Sequence, residues 1–366
     1  MKKILIIAVL FWFLSVPVSA EEGIYSGAGG IEVEGSPGQF LDDNKVSFDD
    51  PESILNLSPS KLWNYIISMV KDKVSEPIKV FASLGAVIVL TVMAESAGDT
   101  IRLGKTGKIF ELICVLVCVS IAASPVCSVM ENCAKSLSSG SMFMTGFVPV
   151  FAGLAAAGGN ITSASGYSII VMSAADAAIQ IADKIMMPML GMSLSLAIID
   201  AVNPAISLTG LIKGMKKCVT WVLGLIMTIF TGLLSVQSIV GGSADAAVSK
   251  TTKYVISGCI PVVGNAVSEA YSSVKTSVGL LKTGVGGIGI AVLAAYLIPP
   301  LISLFVYKFV FGASAVAAEI MGAEKLKRLF SNINSVLSSA LAVCACFSVM
   351  FIISTAIVMA VSTGGV

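Results

Sequence analysis

The stretch that decides the fold is Thr231–Gly287, TGLLSVQSIVGGSADAAVSKTTKYVISGCIPVVGNAVSEAYSSVKTSVGLLKTGVGG. It is too polar for an ordinary membrane span and too regular for a loop. From Val263 onward, apolar and polar residues recur on separate faces at three- or four-residue steps, which predicts an amphipathic helix. Gly258 and Pro261 separate it from a shorter preceding helix, because proline lacks an amide donor and clashes with the turn before it. The apolar face is Val263, Val267, Ala270, Val274, Val278 and Leu281, and the polar face is Asn265, Glu269, Ser272 and Thr276.

The composition of the chain is that of a membrane protein. Of its 366 residues, 56% are hydrophobic and 12% are charged, whereas soluble domains carry about 25% charged residues. The mean hydropathy is +0.93. A net charge of +1 gives no electrostatic case for binding nucleic acid. The chain contains no histidine, which is the usual acid/base group and the commonest metal ligand. We therefore predict a protein embedded in membrane lipid that is not an enzyme and has no catalytic, cofactor or metal site.

The N-terminal residues predict export. Lys2 and Lys3 precede the apolar run Ile4–Val16, and the small residues of Val18–Ala20 are typical of a cleavage site. We expect residues 1–20 to be a secretory signal peptide that is removed after Ala20. The alternative is an uncleaved first span, which the shortness of the apolar run disfavours.

An acidic segment follows the signal peptide. Residues 21–60 carry nine acidic residues against the single Lys45, with no periodicity, which predicts a flexible chain. Ser58 and Pro59 then predict the start of a helix, since serine caps a free amide and proline suits the first helical position. The predicted organisation is a signal peptide at 1–20, a flexible acidic extracytoplasmic segment at 21–60, and a membrane domain at 61–366 that includes an amphipathic extracytoplasmic insert at 241–285.

The fold class predicted from these patterns is all-α, a polytopic integral membrane helical bundle with an extracytoplasmic amphipathic helix pair. A span needs about 20 apolar residues, and on that basis the sequence contains about eight. They are 78–96, 109–130, 142–158, 167–183, 185–201, 218–240, 286–307 and 337–361.

Three basic clusters set the orientation. If the residues after the signal peptide lie outside, successive crossings bring all three clusters to the cytoplasmic side, as the positive-inside rule requires. The insert at 241–285 and the C-terminus then lie outside. Between residues 131 and 213 only an odd number of crossings is needed. The clusters are Arg102, Lys105 and Lys108, then Lys213, Lys216 and Lys217, and finally Lys325, Lys327 and Arg328.

Polar residues within the predicted spans suggest an intramembrane seam. A charged group at mid-bilayer costs about 2.5–3.5 kcal/mol on insertion scales, so it needs a partner, water or a function. Asp176 is surrounded by apolar residues, whereas Asp183 and Lys184 could simply pair at a wet turn. The glycines of Gly284–Gly289 match a dinucleotide fingerprint, but without a βαβ unit they predict close helix packing instead. The candidate seam is Asp176, Gln180, Asp183 and Asp200.

Several short motifs in the second half of the chain occur together. They are Phe230–Gln237 (FTGLLSVQ), Lys253–Val255 (KYV), Ile260–Gly264 (IPVVG), Glu269, Leu280–Gly286 (LLKxxVG), and, upstream, Val148-Pro149, Leu154–Gly159 and Met187-Pro188. With these motifs the chain resembles the stage III sporulation protein AE family of endospore-forming bacteria. The resemblance covers about Met142 to the C-terminus.

This resemblance implies a function in sporulation. Family members are made in the mother cell and lie in the membrane around the forespore. They belong to a secretion-like channel complex that includes an ATPase, ring subunits and other stage III sporulation A-operon proteins. That complex meets stage II sporulation protein Q from the forespore side. The alternatives are a stand-alone secondary transporter of a small solute and a scaffold that conducts nothing; self-association is compatible with each. The residues expected to face partners or a lumen are Gln237, Lys253, Pro261, Gly264, Asn265 and Glu269.

Overall fold

The computed structural model shows a bundle built from long helices. It describes the backbone of residues 59–100, 104–157, 180–202, 208–259 and 264–363, with scattered positions inside 38–45 and 166–178. Over these residues the chain forms helices and no strands, which confirms the all-α class. The helices are α1 (Pro59–Thr100), α2 (Gly104–Ala157), α3 (Met187–Val202, preceded by a π-helical turn at Ala182–Met186), α4 (Thr209–Cys259), α5 (Gly264–Ile320) and α6 (Glu324–Thr363).

Six segments, one along each helix, are long and apolar enough to cross a membrane. The predicted count of about eight is not confirmed over the residues that the structure describes. Predicted spans 109–130 and 142–158 lie in the single helix α2 except for residue 158, and nine of the 17 residues of 167–183 are described. One segment precedes the first basic cluster, three end before the second and five precede the third, so each cluster keeps its predicted side. The six segments are Lys73–Ala94, Leu112–Gly153, Lys184–Val202, Thr209–Val236, Gly284–Ile320 and Glu324–Ala356.

α2 is continuous where the sequence predicts two spans joined by a connection. No glycine lies between its first turn and Gly140, and Pro125 is accommodated inside it. The polar residues between the predicted spans support the helix, since Lys135 Nζ lies 2.7 Å from Glu131 Oε1 one turn away. Such a pair stabilises a helix by about 0.2–0.5 kcal/mol. The prediction of two separate spans in this part of the chain is therefore wrong.

The predicted amphipathic pair is continuous with the membrane helices beside it. α4 runs unbroken from Thr209 to Cys259, with no proline inside it, so the shorter helix is not separate from the preceding span. α5 begins at Gly264, so the two helices end and begin on either side of Pro261, where the break is predicted. At 1.5 Å per residue, α4 continues about 35 Å past the apolar segment that ends at Val236.

α5 and α6 form the centre of the bundle and pack against each other more extensively than any other pair. α2 packs on both of them, α1 packs on α2 and α5, and α3 and α4 pack on α6 and on each other. Phe311 of α5 and Phe330 of α6 lie with ring centroids 6.3 Å apart. The interior is filled by large aromatic side chains because they bury much apolar area each. Those that are fully buried are Phe147, Phe151, Phe311, Phe330, Phe347 and Phe351.

The turn between α5 and α6 is built around a glycine. Gly322 has a φ of +82°, in the left-handed region that favours glycine. The Gly322 N–H donates to the Glu319 carbonyl at 3.1 Å, and the Ala323 N–H donates to the Ala318 carbonyl at 2.9 Å. This pair of bonds is the Schellman motif, which satisfies the last carbonyls of a helix.

We expect Gly322→Ala to lower the stability of the folded chain by about 1–2 kcal/mol, because a residue with a Cβ is strained at this φ. Gly210→Ala is the matched control, since Gly210 is helical and an added Cβ there meets no heavy atom within 4 Å. Thermal unfolding of the purified protein in detergent measures both variants. Equal midpoints for the two would contradict a specific requirement at Gly322.

Candidate functional site

A buried carboxylate joins three helices at one end of the bundle. Asp200, in the last turn of α3, is 1% exposed. Its Oδ1 accepts the N–H of Leu208 at 2.7 Å, and its Oδ2 accepts from Thr209 Oγ1 and Asn332 Nδ2, each at 3.4 Å. Leu208 directly precedes α4 and Asn332 lies on α6. The carboxylate therefore caps the start of α4 and connects it to α3 and α6.

A lysine extends this junction along the same helices. Lys216 Nζ on α4 donates a hydrogen bond to Ser335 Oγ on α6, one turn beyond Asn332. Lys327 Nζ lies 2.8 Å from Glu319 Oε1 and so connects α6 to the end of α5. These contacts bring two of the three basic clusters to one end of the bundle, as the charge pattern predicts. The residues of those clusters are Lys213, Lys216, Lys217, Lys325, Lys327 and Arg328.

The geometry of the junction indicates a structural role, in which Asp200 holds the ends of helices together. Both oxygens of Asp200 are occupied by donors, and those donors belong to helix ends or to a facing helix. Among the residues whose side chains are described, no three His, Cys, Asp or Glu side chains are grouped so as to hold a metal ion. The chemistry available here is helix capping and helix pairing.

The structure does not bring the described members of the predicted seam together. Gln180 is exposed at the start of the helical segment that leads through the π-helical turn into α3, and Asp200 lies at its other end. Twenty residues of helix separate them by about 30 Å. Asp176 and the side chain of Asp183 lie outside the described part of the chain, so their role stays a prediction.

The residues predicted to face partners lie on the parts of α4 and α5 beyond their apolar segments, residues 237–259 and 264–283, which we call the extensions of α4 and α5. Gln237 and Lys253 are helical residues of α4, and Gly264 is the first residue of α5, followed by Asn265 and Glu269 in its first turns. Pro261 lies outside the described residues, as do the side chains of the others. Their exposure to partners stays a prediction.

One of the glycines in Gly284–Gly289 lies where α2 and α5 approach closely. A Cβ added at Gly289 would clash with Cζ of Phe147 and lie 2.7 Å from its Cε2. Phe147 is fully buried and stacks between Phe143 and Phe151, with centroid distances of 5.4 and 5.2 Å. A side chain at Gly289 would require this buried ring to shift, so the position favours glycine. This contact is the close helix packing that the sequence predicts for the glycine motif.

Sequence reasoning missed a polar face on α2. From residue 120 to residue 138, every exposed residue of this helix is polar or a cysteine. The signal is present in the sequence as a repeat of Ser, Glu, Asn and Lys at three- and four-residue steps. It is hidden when Glu131 and Lys135 are interpreted as a connection between two spans. We call these residues the α2 polar stripe: Ser120, Ser124, Cys127, Ser128, Glu131, Asn132, Lys135 and Ser138.

The family model and the curated relative that match this chain carry the same description. The model of the family described as stage III sporulation protein AE matches residues 49–362. Stage III sporulation protein AE of Bacillus subtilis (strain 168) is 21% identical over 304 residues, which cover 83% of this chain and 76% of that protein. No solved structure matches the chain.

Proposed function

The chain belongs to the stage III sporulation protein AE family, and on that premise we propose that it is a membrane subunit of the mother cell-to-forespore channel. The family match confirms the resemblance drawn from the motifs and extends it from Met142 back to residue 49. It indicates a role in sporulation. The channel complex is a secretion-like apparatus required for forespore development.

The observation that carries the proposal is the extent of the family match. Residues 49–362 include all six apolar segments, from Lys73–Ala94 to Glu324–Ala356. The family relationship therefore concerns the whole membrane bundle rather than one motif. In this proposal the bundle is the membrane platform of the complex, in the mother-cell membrane around the forespore, and a partner ATPase drives transport.

The extensions of α4 and α5 suit contact with the other subunits. The α4 extension is about 35 Å long beyond Val236. In the proposed orientation both extensions lie in the space between the two membranes. There the Gln237, Lys253 and Glu269 positions would meet the ring subunits and, through them, stage II sporulation protein Q.

The proposed location is tested by labelling substituted cysteines in sporulating cells. We expect Lys250→Cys and Glu269→Cys to react with a membrane-impermeant thiol reagent applied from the intermembrane side. Lys217→Cys is the matched control, because this exposed residue lies at the basic end of the bundle and should react only from the cytoplasm. Labelling of Glu269→Cys from the cytoplasm alone would overturn the proposed orientation.

The contacts of Asp200 weigh against the secondary transporter as a rival function. An ion-coupling carboxylate needs a coordination site that opens to a pathway, whereas both oxygens of Asp200 are held by donors from α4 and α6. The membrane-subunit proposal requires no such site.

A further inference from the structure

The α2 polar stripe divides this helix into two chemically different faces. Its buried face packs on the bundle through apolar residues that include Val126, Val129 and Leu137. Its outward face from residue 120 to residue 138 exposes hydroxyls, one amide, one carboxylate and one ammonium group. The stripe is about 27 Å long at 1.5 Å per residue, close to the roughly 30 Å thickness of the hydrocarbon core.

Contacts between α2 and α6 set the depth of the stripe. The thiol of Cys133 lies against that of Cys344, and a Cβ on Gly140 would lie 3.9 Å from the Phe351 ring. In both contacts the α6 residue number exceeds the α2 number by 211, so the helices run parallel in a constant register. The apolar segment Glu324–Ala356 of α6 therefore lies beside residues 113–145 of α2. The stripe occupies the middle of that range.

A polar face at this depth cannot be covered by lipid tails without a large cost. Glu131 and Lys135 are 65% and 69% exposed, with their charged groups 2.7 Å apart. A charged residue at the bilayer centre costs about 2.5–3.5 kcal/mol on insertion scales, and polar groups in membrane helices usually face protein or water. The other helices that the structure describes leave this face open, so further protein or water has to cover it.

We propose that the α2 polar stripe lines a water-filled passage formed between copies of this chain. Identical stripes can face one another without net repulsion, because Glu131 and Lys135 cancel in charge and the remaining stripe residues are uncharged. A wall of hydroxyls with one paired acid and base suits small hydrophilic solutes of either charge. The inference rests on the proposed function, because it names the face of the subunit that the conduit uses.

The test compares two positions at the same depth. Gly140 of α2 lies beside Leu297 of antiparallel α5. Asn132, eight residues before Gly140, is therefore level with Phe305, eight residues after Leu297. Phe305 is 61% exposed and apolar, and therefore marks the lipid face. Asn132→Cys and Phe305→Cys are each made with Cys127, Cys218 and Cys259 changed to serine. Membranes from sporulating cells are then treated with the small impermeant reagent methanethiosulfonate ethylsulfonate.

We expect Asn132→Cys to react at least about tenfold faster than Phe305→Cys, because a thiol in lipid stays protonated and only the thiolate reacts. Two differently tagged copies of the chain should also purify together. Equal reactivity at the two positions would overturn the inference, since it would place both in water or both away from it. Reactive Asn132→Cys with no co-purification of the tagged copies would also overturn it.

The inference and the proposed function fail separately. If the channel partners bind the chain but Asn132→Cys is as unreactive as Phe305→Cys, the stripe is a dry contact and the inference is wrong. If the stripe is wet and the copies associate but no sporulation partner binds, the conduit between copies stands and the proposed function is wrong.

Discussion

Gly289→Ala is expected to separate α2 from α5 and to lower the stability of the bundle by about 1–3 kcal/mol, the usual cost of overpacking a tight core. The new methyl group would clash with Cζ of Phe147 and lie 2.7 Å from its Cε2. Any shift of the ring would disturb its stacking, because it is fully buried between Phe143 and Phe151. Heat resistance of the purified protein in detergent and the yield of spores measure the effect.

Gly140→Ala is the matched control for this substitution. Gly140 also lies where α2 meets α5, but a Cβ there would be 3.6 Å from Leu297, which is ordinary van der Waals contact. We expect that variant to behave like the unsubstituted chain. Phe147→Leu should partly restore Gly289→Ala, because it removes the atoms that clash, and the double variant then shows coupling between the two sites. Independent effects of the two substitutions would contradict the assigned contact.

Asp200→Ala is expected to disconnect α3, α4 and α6 at the basic end of the bundle. It would leave the partly buried N–H of Leu208 and the amide of Asn332 without their acceptor. An unsatisfied buried donor costs about 1–3 kcal/mol. We expect a lower thermal midpoint in detergent and faster proteolysis between α3 and α4.

Asp200→Asn distinguishes this structural role from ion coupling. An asparagine oxygen can still accept the Leu208 N–H, so the helix cap survives and the loss of stability should be smaller than for Asp200→Ala. If the role of Asp200 is structural, Asp200→Asn should give a nearly normal yield of spores. Loss of function in a fully stable Asp200→Asn variant would contradict the structural role and favour a proton- or ion-binding carboxylate.

The sequence predicts the helix ends well where local chemistry determines them. Pro59 begins α1 as the helix-start signal indicates, and Pro261 lies between the end of α4 and the start of α5. Both features depend on the backbone geometry of proline, which acts on its immediate neighbours. The sequence could predict that helices pack closely at Gly289, since small residues allow membrane helices to approach each other. Its partner Phe147 was not, because the contact joins residues far apart in the chain.

The continuity of α2 shows why hydropathy misled the prediction of spans. Glu131 and Lys135 lower the local hydropathy, so a search for uniform apolar runs divides the helix there. In the folded chain the two residues pair with each other and occupy the outer face, while Cys133 between them packs on α6. Helical periodicity carries that information, and average hydropathy does not.

The role of Asp200 could not be predicted from the sequence alone. The sequence marks it as a carboxylate at the end of a span, which fits a seam residue and a cap equally well. Its acceptance of the Leu208 N–H is a local contact, but the donor Asn332 lies 132 residues away along the chain. Tertiary packing decides between the two roles, and single-sequence patterns cannot supply it.

The membrane-subunit proposal is tested most directly by affinity purification of the tagged chain from sporulating cells. We predict that the ATPase and the ring subunits of the channel complex purify with it, and that Gly140→Ala leaves this association intact. Two results together would contradict the proposed function. They are recovery of the folded chain without any of these partners, and normal spore formation in cells from which the chain has been deleted.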